Sequence, residues 1–134
     1  MAGVRLTLRI DFGADRALGP GKIRLLETID KAGSISQAGR SLGMSYRRAW
    51  LLIDDLNHSF RAPVVATKPG GAQGGGAAVT RFGRELIKRY RAIETQATAV
   101  AQKQLRHLEI ALSKSASGAP QRRKTSIRAT TPPR

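Results

Sequence analysis

The chain has 134 residues, enough for one modest domain and an appendage. Lys and Arg number 24 against 9 Asp and Glu, a formal net charge of +15 that calls for a polyanionic partner, nucleic acid before anionic membrane. Cysteine is absent, which excludes disulfides, thiol catalysis and cysteine metal sites. His58 and His107 each lack a second His within helical reach, so no metal site is expected. The longest apolar run, Ala49 to Ile53, is far too short for a membrane span or a signal-peptide core. The composition fits a soluble, cytoplasmic, nucleic-acid-binding protein.

Residues 1–112 are read as the folded domain and residues 113–134 as a basic tail. The tail carries six basic residues, no acid and one large aliphatic residue, Ile127. It cannot bury enough surface to offset the entropy of ordering and is expected to be disordered. It serves either as a solubilising extension or as a non-specific phosphate-binding arm.

Val4 to Ile10 alternates apolar and polar residues, the period of a half-buried strand, and Gly13 to Gly19 reads as a connector. Pro20 suits a first helical turn, and a helix from there to Ala32 ends at Gly33. Ile23, Leu26, Ile29 and Ala32 give that helix one apolar face.

Ser34-Ile35-Ser36-Gln37 has the form of a capping box for a short helix from Ile35 to Leu42. Gly43 ends it in the left-handed conformation, Met44 fills the turn, and Ser45 is a second N-cap. The next helix runs from Tyr46 to about Asn57. Ala49, Leu52, Ile53 and Leu56 share one face, Arg47, Leu51 and Asp54 lie roughly opposite, and Arg48 and Trp50 flank them. Gly39 and Gly43 allow the two helices to meet closely, the geometry of a helix-turn-helix. Arg47 and Arg48 then occupy the first turn of a recognition helix, Arg47 to read a guanine and Arg48 to clamp a phosphate. Trp50 is expected as a partly buried packing residue rather than a base contact.

Val64 to Thr67 reads as a short strand and Ala77 to Val79 as its return. Between them Gly70 to Gly76 holds five glycines in seven residues, a loop whose bare amides can approach phosphates. The Gly-Lys-Ser/Thr ending of a nucleotide-binding loop is missing, so the hairpin reads as a wing. Thr80 caps a final helix from Arg81 towards Leu112, roughly 48 Å at 1.5 Å per residue. Leu86, Tyr90, Ile93, Ala97 and Val100 step by four and three, a coiled-coil seam that predicts a homodimer. The fold class expected is mainly α with a small β-sheet: a winged helix-turn-helix with a long C-terminal dimerisation helix.

The chain resembles the N-terminal DNA-binding domain of the ModE family of molybdate-responsive regulators, with a more distant likeness to LysR-type winged helices. The resemblance rests on Gly33 to Gln37, Ser45-Tyr46 with Ala49-Trp50, and the Gly70 to Gly76 loop running into Thr80-Arg81-Phe82-Gly83, and it covers residues 4 to about 100. It implies a dimeric transcription factor, typically a repressor of molybdate-transport genes, with the first strand and last helix in the dimer scaffold. Ser34, Ser36 and Gln37 correspond to the helix before recognition, and Ser45, Tyr46, Arg47 and Arg48 to the recognition helix. Gly71, Gly74 and Gly75 belong to the wing. The family wing usually carries a lysine where this chain has Ala72 and Gln73, which shifts phosphate contact to Lys68 or Arg81. Full-length members continue into oxyanion-binding domains, whereas here a basic tail follows. No residues match a molybdate pocket, so no cofactor is expected and any signal comes from a separate effector-sensing protein.

Double-stranded DNA is therefore the expected partner. A non-specific nucleoid protein would account for the charge but not for an ordered recognition helix. An RNA module would need more exposed aromatics than the 4% present. No catalytic residues are expected, because the nine carboxylates are scattered and neither His has a partner at a recognisable spacing.

Overall fold

A computed structural model describes residues 3–68 and 76–113. The elements are β1 (Ile10–Phe12), β2 (Arg16–Leu18), α1 (Pro20–Ala32), α2 (Ile35–Ser41), α3 (Tyr46–Ser59), β3 (Val65–Thr67), β4 (Ala77–Val79) and α4 (Arg81–Ala111). The fold is mainly α with two antiparallel two-stranded sheets, as the sequence predicts. The chain divides into two compact units, Thr7–Gln96 and a second whose described residues are 3–6 and 97–113. The core and the candidate site belong to the first; the second contributes the C-terminal turns of α4 and their exposed apolar residues. The tail lies outside the described residues, apart from Ser113.

The predicted strand over Val4 to Ile10 needs correction. Pairing begins only at Ile10, where β1 meets β2 in the register Ile10 to Leu18 and Phe12 to Arg16. Residues 4–9 keep the alternation, with Val4, Leu6 and Leu8 half-buried and Arg5, Thr7 and Arg9 exposed, but they join no sheet. The return strand lies in the segment read as a connector. It is three residues long, too short to display a period, and only buried Leu18 marks it.

Helix α1 starts at Pro20 and stops at Gly33, whose amide donates to the Ile29 carbonyl at 2.8 Å. Ile23, Leu26 and Ile29 are buried as expected, and so is Leu25. One stripe does not suffice because α1 lies against α2, α3 and β4. Buried Ala38, Ala49, Ile53, Leu56, Val64 and Val79 complete the centre of this core, and Phe12, Phe60 and Phe82 stack edge-to-face at its margin, 5.4 and 5.5 Å between centroids.

Three further contacts fix α4 within the first unit. Tyr90 is 1% exposed, and its hydroxyl donates to the Leu8 carbonyl at 2.6 Å. Burial pushes its pKa up, with Glu94 adding to the rise and Arg91 opposing it. Arg91 forms a fork with Glu27, at 2.8 and 3.0 Å, and also reaches Glu94 at 2.6 Å. Gly83 packs so closely on β3 and β4 that a methyl group there would collide with the Val64 carbonyl and lie 2.7 Å from the Val79 side chain.

Two outcomes follow from this packing. Gly83→Ala raises helix propensity but forces α4 off the hairpin, and overpacking of this kind costs about 1–3 kcal/mol. Urea denaturation should therefore show a lower midpoint for the variant, and an unchanged or higher one would contradict the contact. Hydrogen bonding from Arg91 lowers the Glu27 pKa from its ordinary 4.5, against opposing desolvation. A lowered carboxylate pKa stabilises the fold above the unfolded value, and that stability is lost as pH falls through the folded one. Wild type should therefore exceed Glu27→Gln in denaturation midpoint above pH 4.5, and the gap should close on acidification below it.

Candidate nucleic-acid interface

The site is built from α2, the turn after it and α3. Ser34 caps α2, its Oγ accepting from the Gln37 amide at 3.1 Å, while the reciprocal bond from the Gln37 side chain does not form. Helix α2 ends at Ser41, one residue before the expected Leu42, and Gly43 turns the chain at φ +74°. The Met44 amide closes the turn onto the Gly39 carbonyl at 2.9 Å. A Cβ at Gly39 would lie 3.1 Å from the Ala49 methyl, so the two helices touch where the sequence supplies its smallest side chains. Ser45 then caps α3, its Oγ accepting from the Arg48 amide at 3.1 Å.

This geometry brings Ser34, Ser36, Gln37, Ser45, Tyr46, Arg47 and Arg48 onto one helix pair. Ser34 and Ser36 are half-buried; Gln37 and Ser45 to Arg48 are exposed. Arg40, Arg47 and Arg48 form no ion pair with any described residue. The acids of α3 are already engaged, Asp55 with Lys22 at 2.7 Å and Asp54 with the His58 ring at 3.4 Å. Arg48 also lines a shallow cleft of about 290 Å³ with Arg9, Lys22, Met44 and Leu52. Arg9 is paired to Asp11 and Lys22 to Asp55, which leaves Arg48 as the uncompensated cation of that cleft. Trp50 departs from expectation: it lies outside the core and its half-buried margin. A residue on a helix flank is buried only where another element covers that flank, and α3 faces the core with buried Ala49, Ile53 and Leu56 and half-buried Leu52.

The hairpin β3–β4 pairs Val65 with Val79 and Thr67 with Ala77. Lys68 is exposed at its end, its amide donating to the Gly76 carbonyl at 2.9 Å. Gly71, Gly74 and Gly75 lie outside the described residues. Sequence reasoning missed Asn57, which fixes the base of the wing. Its Oδ1 accepts from the Val64 and Val65 amides at 2.7 and 3.2 Å, and its Nδ2 donates to the Val65 carbonyl at 3.1 Å. An Asn close to the expected helix end, six residues before Pro63, was the available signal. Arg81 is exposed at the start of α4, where Thr80 Oγ1 accepts from the Gly83 amide at 2.9 Å.

The predicted seam divides. Leu86 and Tyr90 pack within the chain's own core, whereas Ile93 is 42% and Val100 87% exposed. Ala97 is half-buried. Among the described residues no helix is long and apolar enough to cross a membrane.

Two capped helices meeting in a tight turn, followed by a hairpin tied to the second helix, define a winged helix-turn-helix domain. No family model matches the chain. It is 41% identical over 92 residues to the molybdenum transport protein ModE of Azotobacter vinelandii, covering 69% of this chain and 33% of that protein. It is 46% identical over 77 residues to the molybdenum-pterin-binding protein MopB of Rhodobacter capsulatus, covering 58% and 28%. It is 42% identical over 71 residues to the DNA-binding transcriptional dual regulator ModE of Escherichia coli K12, covering 53% and 27%. The resemblance to the ModE family is thereby borne out. The matched stretch spans a third or less of the length of these relatives.

Proposed function

We propose that the chain is a homodimeric DNA-binding transcription regulator, a repressor of molybdate-transport or other molybdenum-related genes, acting in the cytoplasm. The observation that carries this reading is the first turn of α3, where Arg47 and Arg48 stand exposed and unpaired among the described residues behind the Ser45 cap. Two cations at the positive end of a helix dipole are mutually and locally unfavourable, by about 0.3–1 kcal/mol each. A phosphate or a base acceptor seated there offsets that cost. The names of the ModE relatives support the class of regulator and of gene.

In this reading Arg47, opposite the Ala49, Ile53 and Leu56 face, enters the major groove and bonds a guanine edge. Arg48 takes a backbone phosphate. Ser34, Ser36, Gln37, Ser45 and Tyr46 set the helix pair against the duplex, and Lys68, Gly71, Gly74, Gly75 and Arg81 contact the phosphates beside it. Exposed Ile93 and Val100, seven residues apart on α4, support pairing with a second copy.

The test is a salt titration on a duplex selected from random sequence and on a scrambled control. Arg47→Ala should stay folded, lose about 1–3 kcal/mol at the selected site and relax discrimination at one position per half-site. Arg48→Ala should weaken both duplexes evenly and lower the salt slope by about one. If both folded variants kept full affinity, α3 would not be the binding element; if bulk DNA abolished all site preference, a non-specific nucleoid role would replace the regulator.

Light scattering should give twice the 14.4 kDa chain mass at micromolar concentration. A monomer that leaves a single unpaired footprint would refute the dimer.

A further inference from the structure

Helix α3 exposes three large apolar side chains: Tyr46 at 56%, Trp50 at 42% and Leu51 at 45%. Single exposed apolar residues are ordinary, but these fall within the first two turns of one helix. Tyr46 and Trp50 are four residues apart, as are Arg47 and Leu51, and Trp50 is three from Arg47. At helical spacing the four side chains adjoin as one patch. The opposite face is committed to the core, and none of the three apolar residues belongs to that core or its half-buried margin.

The patch is therefore apolar with a cation inside it and one acid, Asp54, beside Trp50 and Leu51 on its C-terminal side. Arg47, Arg48 and Arg40, without ion-pair partners among the described residues, outnumber that acid on the helix pair. Its complement must be negatively charged overall and carry small apolar groups spaced within reach of two helical turns. The B-DNA major groove has that character: it admits a helix between phosphate walls, and each A·T pair places one apolar group in it, the thymine C5-methyl. We propose that Trp50 and Leu51, flanked by Tyr46, recognise thymine methyl groups, so that apolar contact sets specificity alongside Arg47. The inference rests on the DNA-binding reading above and adds the base class that the helix selects.

The experiment uses the full chain and the duplex it selects from random sequence. Each thymine is replaced singly by uracil, which removes only the C5-methyl and leaves base pairing intact. Wild type should lose affinity about four-fold at one or two positions per half-site, the worth of burying one such group. Trp50→Ala and Leu51→Ala should bind thymine and uracil duplexes equally at those positions while keeping the wild-type far-UV spectrum. Indifference of the wild type to every uracil would overturn the inference and leave the patch to a protein contact. Variants as uracil-sensitive as wild type would overturn it too. The uracil series needs no variant, so a misfolded substitution leaves the result decisive. A chain that selects no duplex refutes the DNA-binding reading and this one together, whereas selection without uracil sensitivity refutes this one alone.

Discussion

A buried peptide group must find hydrogen-bond partners, and at fully buried Val64 this requirement ties three elements together. Its amide donates to Asn57 at the end of α3, and its carbonyl accepts the Thr80 amide at 2.9 Å and the Thr80 hydroxyl at 3.2 Å. The same hydroxyl donates to the Pro63 carbonyl at 2.8 Å and caps α4. Gly83 completes the junction, because only a residue without Cβ lets α4 approach the Val64 carbonyl. The wing therefore cannot shift against α3 without breaking bonds whose loss leaves buried polar groups unsatisfied. Its other strand is anchored as well, by the Ala77 amide on the Gly33 carbonyl at 2.9 Å.

The charges sort in the same spirit. Of the acids, Glu27, Asp30 and Asp55 pair with cations distant in sequence, Arg91, Arg84 and Lys22, joining α1 to α4 and to α3. Each such pair at the surface contributes little, about 0–1 kcal/mol, yet together they occupy three of the nine acids. On α2 and α3, Arg40, Arg47 and Arg48 are left without ion-pair partners among the described residues. Fold and potential are linked at one point: the Lys22–Asp55 pair that joins α1 to α3 also takes one acid of α3 away from its arginines.

What was legible in the sequence was local. Pro20, the caps Ser34, Ser45 and Thr80, and the small residues at Gly33, Gly39 and Gly43 act within a few positions of themselves, and each element boundary they imply lies within two residues of the structure. What was not legible depends on partners far along the chain. Nothing near Leu25 says that α1 is covered on two sides, and nothing near Tyr90 says that the Leu8 carbonyl awaits its hydroxyl, 82 residues away. Asn57 reads as one more polar residue until the β3 backbone arrives. The strand return at Arg16 to Leu18 is too short to carry a period. For the site, sequence placed the arginines but not the exposure of Trp50, since a helical wheel gives an angle and not the presence of a neighbour.

Most of the chain agrees with itself across levels: apolar faces are buried, caps are filled, and close approaches carry glycine. Agreement of that kind is what lets a sequence specify one fold, and departures concentrate where another demand intervenes. Here two departures coincide. Cations crowd the positive end of α3, and large apolar side chains on the same two turns face water. Either alone has a bland explanation, a solvated arginine or a stray surface hydrophobe. Their overlap is harder to dismiss, because a purely ionic partner would leave Trp50 and Leu51 unrelieved, and a purely apolar one would desolvate Arg47 without a counter-charge. A groove walled by phosphates and studded with methyl groups relieves both at once.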